Sequence, residues 1–218
     1  MIKTSSPLVL ALTLISVAGW VDAIGYLQFG HLFVSFMSGN STQLAVGLGK
    51  SDWIGSLHIG IIIACFVFGA FAGALVTFAA GRWRLPALLV CEASLLLIAL
   101  FWPVSPGIFS VAAIPIAVAM GLQNAALHRV GQRTVGLTYI TGMLVRCGQE
   151  LAEAIAGRGE RWAWLGDLGM WLAMICGAVI GGVSFIWLGL QAVVIPAGIA
   201  IVLAIVGARA ASLGVVPE

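Results

Sequence analysis

"FVSFMSGNSTQLAVGLG", residues Phe33 to Gly49, is apolar at both ends and polar in the middle. Its centre, Ser38-Gly39-Asn40-Ser41-Thr42-Gln43, is a run of small and amide side chains. A long apolar segment precedes it and another follows. Whether this stretch crosses a membrane decides the topology of the whole chain.

The surrounding composition makes a membrane the relevant solvent. Of 218 residues, 61% are hydrophobic and 8% are charged, and mean hydropathy is +1.13. Soluble domains carry roughly 25% charged residues. A spanning helix needs about 20 mostly apolar residues. Six segments qualify: about 7–28, 55–80, 86–103, 107–127, 163–187 and 190–208. Residues 30–50 and 130–158 are left over. The N-terminal run is read as a retained first span, because its positive flank is a single Lys3 and its apolar stretch runs on to Tyr26.

Charge placement tests the two remainders, since Lys and Arg concentrate on the cytoplasmic side. If neither crosses, Lys3, Arg82, Arg84, Arg129, Arg133, Arg158, Arg161 and Arg209 share one side, and Lys50 alone takes the other. If both cross, the split is five to four. Six spans with both termini cytoplasmic is the better assignment.

The two halves also resemble each other. Gly19-Trp20-Val21-Asp22-Ala23 aligns with Gly121-Leu122-Gln123-Asn124-Ala125. Ser35-Phe36-Met37-Ser38-Gly39 aligns with Thr138-Tyr139-Ile140-Thr141-Gly142, and Gly69-Ala70-Phe71-Ala72-Gly73 with Gly177-Ala178-Val179-Ile180-Gly181. The offsets, 102, 103 and 108, keep the same order. Each half holds three spans, an odd number, so the second enters from the opposite side. The expected fold is an all-α integral membrane protein of six transmembrane helices. It forms one domain of two inverted three-helix repeats, about 7–103 and 107–208, each with a Gly-interrupted polar segment. Inverted repeats of this kind recur in secondary transporters.

"GWVDAIGYLQFGHLFVSFMSGNSTQLAVGLG", "GLQNAALHR" and "TYITGMLVRCGQELAEAI" resemble the YoaK-like family of uncharacterised bacterial inner-membrane proteins. The likeness runs over nearly the whole chain. Ser38 stands where that family more often has Thr, which keeps a hydroxyl. The resemblance implies the fold class and an inner-membrane location, and implies no substrate.

Several residues could carry chemistry. Asp22 lies two-thirds of the way through the first span, where a charge costs about 2.5–3.5 kcal/mol on insertion scales. It is read as a proton- or cation-binding carboxylate, against a snorkelling residue near the outer interface. Glu92 sits eight residues beyond Arg84, roughly 12 Å into the bilayer; a proton relay and a structural interhelix hydrogen bond are equal readings. Ser38, Gly39, Asn40 and Gln43, with Thr138, Thr141 and Gly142 in the second copy, offer hydroxyls, amides and freed backbone groups. Helix starts there would aim positive dipole ends at an anion or a carbonyl-bearing solute. Polar surface loops are the plainer reading, and the flanking Leu32-Phe33-Val34 and Leu44-Ala45-Val46 argue against it. Gln123 and Asn124 join the expected site. So does Arg146, which shares a helix face with Glu150 at i,i+4. His31 and His128 flank the motifs and are read as structural. The Gly69/Gly73 and Gly177/Gly181 pairs are read as helix-packing surfaces.

Cys65, Cys91, Cys147 and Cys176 are widely separated, which gives no disulfide framework or metal spacing. Nucleotide, metalloprotease and hydrolase fingerprints are absent. The expectations are therefore no enzyme activity, no cofactor, no metal and no nucleic-acid partner. The expected partners are the lipid bilayer and a small solute of unknown identity. A permease this small is expected to form a homodimer. A non-transporting scaffold or sensor is the alternative.

Overall fold

In the computed structural model, residues 5–102, 110–126 and 140–214 are described. Their regular structure is entirely helical: α1 (Ser5–Gln28), α2 (Met37–Gly49), α3 (Trp53–Ala80), α4 (Arg84–Ile98), α5 (Ala113–Ala126), α6 (Ile140–Ile155), α7 (Trp164–Leu188) and α8 (Val194–Ser212). Six of these, α1, α3, α4, α5, α7 and α8, fall on the six expected apolar segments. The shorter α2 and α6 occupy the two remainders.

Leu8–Gln28 is one apolar stretch of 21 residues, and Trp53–Phe101 and Trp164–Ser212 are stretches of 49 residues each. A 49-residue stretch is about twice what one crossing needs. Each is folded in two by the same device. Gly81 (φ 50°) and Gly189 (φ 57°) adopt backbone conformations that disfavour side chains. Each opens a short 3-10 turn, and a proline follows in the first turn of the next helix, Pro86 in α4 and Pro196 in α8. First-turn proline is tolerated because its missing N–H would have no helical partner there. At the start of α3, the Asp52 side chain accepts from Gly55 N at 3.0 Å, an N-cap.

Large apolar side chains point outward along these helices. Phe78 is 81% exposed and Trp187 80% exposed in the isolated chain. Contiguous exposed apolar surface of this kind fits lipid rather than water. All four cysteines are free.

The helices meet where side chains are missing. A methyl group at Gly177 would strike the Ser16 backbone, and one at Gly181 would strike Trp20, both on α1. Gly19 on α1 faces Met174 and Ala178 in return. The second crossing repeats the first: Gly69 meets Val118, Gly73 meets Leu122 and Ala125, and Gly121 faces Phe66 and Ala70. Lipid removes the hydrophobic force between helices, so close van der Waals contact of this kind drives their association. The glycine pairs thus act as the packing surfaces expected of them, and each joins the first half of the chain to the second.

These contacts also fix helix directions. A step of four residues along α7, Gly177 to Gly181, matches Ser16 to Trp20 on α1, so α1 and α7 run parallel. The same logic makes α3 and α5 parallel. Gly207, late in α8, lies against Leu85 and Pro86 at the start of α4, so these two are antiparallel. If α6 crossed the membrane, α4 and α8 would be parallel. If α2 crossed and α6 did not, α1 and α7 would be antiparallel. The observed directions therefore leave six crossings, with α2 and α6 re-emerging on the face they enter.

Gly69→Val and Gly177→Val should each destabilise the fold, by about 1–3 kcal/mol for an overpacked site. Gly182→Ala, where an added methyl meets nothing within 4 Å, should not. Thermal unfolding in detergent measures the difference. A wild-type midpoint in Gly177→Val would remove the close crossing.

Candidate functional site

The break expected at Ser38–Gln43 lies earlier in the chain. Residues 38–43 are the first turns of α2, and the irregular backbone is 29–36. The hydroxyls that were expected to weaken the helix fold back onto it: Ser41 Oγ donates to Met37 O at 2.8 Å and Thr42 Oγ1 to Ser38 O at 3.1 Å. The departure from α1 is made by Gly30 (φ 66°) and His31 (φ 69°). His31 N donates to Tyr26 O at 3.0 Å, which closes the end of α1.

Asp22 reaches this irregular stretch. Its Oδ1 accepts from Val34 N at 2.8 Å and Ser35 N at 2.7 Å, and its Oδ2 accepts from Ser35 Oγ. Asp22 lies six residues before the end of α1, about 9 Å down the helix. The chain must therefore dip to that depth before α2 climbs out again. The carboxyl sits beside the start of α2, where a helix offers free N–H groups and a positive dipole end. Asp22 thus bonds the backbone just ahead of the helix start where an anion was expected.

Two amides complete the support. The buried Asn40 accepts from Phe33 N at 3.0 Å and donates to Phe33 O at 2.6 Å, as a strand neighbour would. Gln43 Nε2 donates to His31 O at 3.0 Å. Gly39 has no side chain to displace Phe33 and Phe36, whose rings lie against it and against each other, with centroids 5.3 Å apart. Ser38 is exposed. Irregular backbone at membrane depth must find partners within the protein, and Asp22, Asn40 and Gln43 supply them.

In the second half, Arg146 of α6 meets Asp167 of α7. Nε donates to Oδ2 at 3.0 Å and one terminal nitrogen to Oδ1 at 2.8 Å, a two-pronged pair. The Asp167 side chain is fully buried, and that of Arg146 is 34% exposed. The sequence reading overlooked Asp167. Its signal was an acidic residue three positions into an otherwise apolar span. Thr141 is exposed and Gly142 buried at the start of α6. Thr138 lies outside the described residues.

On α5, Gln123 is buried and donates to Leu14 O of α1 at 3.3 Å, and its Oε1 has no partner. Asn124 Nδ2 donates to Met120 O at 3.0 Å. Glu92 on α4 is completely buried, and neither carboxyl oxygen has a hydrogen-bond partner. The expected site residues are thus sorted by their hydrogen bonds into separate groups: Asp22, Asn40 and Gln43 around 29–36, Arg146 on α7, and Gln123 on α1. A shallow groove of about 420 Å³ between α2 and α3 is lined by Leu44, Leu48, Trp53, Leu57 and Ile61, with Ser56 as its one hydroxyl. That lining suits an acyl chain better than a polar solute.

Two outcomes follow. Asp22→Asn keeps an oxygen for Val34 N and Ser35 N but replaces charge-assisted hydrogen bonds by neutral ones and reverses the bond to the Ser35 hydroxyl. It should cost roughly 1–3 kcal/mol, the difference between hydrogen bonds to a charged and to a neutral acceptor, and speed amide exchange at Val34 and Ser35. Unchanged protection of those amides would contradict the dip. Arg146→Leu strands the buried Asp167 and should cost about 3 kcal/mol, the low end for a broken buried pair because Arg146 is partly exposed. The double change Arg146→Leu with Asp167→Leu should recover most of it in chemical or thermal unfolding.

Similar proteins place the chain. The family described as "Protein of unknown function (DUF1275)" matches residues 10–206. The UPF0700 transmembrane protein RA0705 of Rhizobium meliloti is 35% identical over 181 residues, which cover 83% of this chain and 77% of that protein. The UPF0700 transmembrane protein YoaK of Bacillus subtilis is 30% identical over 152 residues, covering 65% of this chain and 64% of its own length, just under two thirds. No solved structure matches. Three long apolar stretches, a lipid-facing surface and this likeness agree: the chain belongs to the DUF1275 family of YoaK-like transmembrane proteins.

Proposed function

We propose that this protein is a small-solute transporter or channel-like permease of the bacterial inner membrane, with both termini cytoplasmic. It is built as two inverted three-helix repeats, and its site lies at their interface. The observation that carries this reading is the matched pair of glycine crossings. α1 packs on α7 as α5 packs on α3, so each half lends a helix to the other. Two short helices, α2 and α6, stand beside α3 and α7 at matching places in the two halves. Paired discontinuous segments at corresponding positions are the feature that marks solute sites in inverted-repeat transporters. Ser38, Gln123, Asn124, Thr138, Thr141 and Arg146 would face the solute as the halves rock. Asp22, Asn40 and Gln43 would shape its boundary. A homodimer would add a second, equivalent path.

A non-transporting scaffold or sensor is favoured by one specific observation: Asp22 and Asn40 are already spent on the chain's own backbone. Cysteines at Ser38 and Thr141, in a background without the four native ones, separate the two readings. In proteoliposomes, transport predicts labelling of Ser38→Cys from one side and Thr141→Cys from the other by a membrane-impermeant maleimide. It also predicts uptake of at least one solute in a panel, with that solute slowing the labelling. Unlabelled positions together with an absence of uptake would leave the scaffold.

A further inference from the structure

We propose that Glu92 is the group that binds and releases a proton as the protein works. The claim deepens the transport reading by naming the coupled ion, and it rests on that reading only for the coupling.

The structure holds two carboxyl groups within the first four helices at membrane depth, and they are in opposite conditions. Asp22 is saturated by Val34, Ser35 and the Ser35 hydroxyl. Its acceptors hold the dip before α2, so a proton arriving there would compete with the fold. Glu92 is equally buried and holds nothing: both oxygens lack partners. A buried polar group without a hydrogen bond is costly and calls for a reason. Intramembrane carboxyl groups of this kind mark proton and ion paths.

The surroundings select the proton among cations. Glu92 lies on the face of α4 formed by Leu89, Ala93 and Leu96, which packs on α5 and α8. α8 presents Ala197, Ala200 and Ala204 as its buried residues there. Hard cations take six or more oxygen ligands, and no metal-holding group of three His, Cys, Asp or Glu exists among the described residues. A proton needs one oxygen. The titratable groups on the packed elements are Arg209 on α8, His58 and Cys65 on α3, and Arg82 in the turn before α4, with Arg84 and Cys91 on α4 itself; α5 brings none. None of them is a carboxyl group, and none hydrogen-bonds Glu92. The chemistry is a single step: a carboxylate oxygen takes a proton to give the acid, and returns it to water without other bonds changing.

Position puts Glu92 near the middle of its span: it is eight residues from Arg84 and six from Ile98, roughly 12 and 9 Å from the two ends of α4. Gln123, whose buried Oε1 also lacks a partner, lies on neighbouring α5. It lies three residues before the end of α5 at Ala126.

Infrared difference spectra of the protein in nanodiscs, recorded between acidic and alkaline buffer, test this without any solute. A pH-dependent buried-carboxyl band should appear in wild type and Asp22→Asn, vanish in Glu92→Gln, and shift in Glu92→Asp. A band that survives Glu92→Gln unchanged, or a wild type in which Glu92→Gln removes nothing, would overturn the proposal. If Glu92→Gln does not yield folded protein, Glu92→Asp decides, since an unmoved band would overturn it equally. Uptake in proteoliposomes under a proton gradient separates the two claims. Loss of gradient-driven uptake in Glu92→Gln supports the coupling. Absence of all uptake, with the Glu92 band intact in wild type, would sink the transport reading and leave the proton site standing.

Discussion

Two helix crossings at which backbone lies directly on backbone hold this molecule together. Where Gly177 meets Ser16 and Gly69 meets Val118, there is no space for a side chain on the glycine. Lipid surrounds the bundle, so apolar side chains gain little by turning inward, and association relies on close contact. Each crossing joins a helix of one half to a helix of the other. Neither half can therefore be taken as an independent bundle that later docks. The same contacts make α1 parallel to α7 and α3 parallel to α5. With α4 antiparallel to α8, those directions leave α2 and α6 unable to cross.

A second constraint follows. A chain that enters the membrane and leaves on the same side carries irregular backbone through a region where water is scarce. Residues 29–36 meet this by recruiting side chains. Asp22 takes the N–H groups of Val34 and Ser35, Asn40 pairs with both polar groups of Phe33, and Gln43 takes the carbonyl of His31. The same residues that look like a solute site in the sequence are the ones that make the dip affordable. On the transport reading they are the frame of the site, and the exposed Ser38 and Thr141 are its contacts.

Much of the fold was legible because hydropathy depends on composition and length. All six long segments lie within a few residues of helices, and charge counting kept α2 and α6 from crossing. What composition misplaced was the break. Ser41 and Thr42 read as helix-weakening, yet their hydroxyls return to carbonyls four residues back and leave the helix intact. The true signal was Gly30-His31, where two successive positive φ angles end α1. Partners were the least legible part. Asp22 and Asn40 were recognisable as unusual, but their bonds span 7 to 13 residues and depend on the dip itself. Arg146 has a helical neighbour at Glu150, which local spacing reveals. Asp167, 21 residues away, is brought to it by the packing of α6 on α7, and no local rule finds it. Glu92 stood out because it follows seven apolar residues, Leu85 to Cys91, inside a span.

The halves are alike in packing and unlike in fastening. Asp22 aligns with Asn124, an amide that bonds to Met120 O within its own helix, so the second half has no matching carboxyl. Gln43 aligns with Arg146, and these equivalent positions tie their helices differently. Gln43 donates to a backbone carbonyl before α2, whereas Arg146 forms an ion pair with the helix after α6. The α2 side is also held by the buried bonds of Asp22 to the backbone of Val34 and Ser35, which salt screens little. The α6 side is held by a pair with one partner a third exposed, which salt and charged solutes can reach. If the two short helices gate opposite faces, opening beside α6 would part the Arg146–Asp167 pair. Opening beside α2 requires Asp22 to abandon two buried N–H groups. On that reading the two openings would break different bonds, with a buried carboxyl losing its partners in each case.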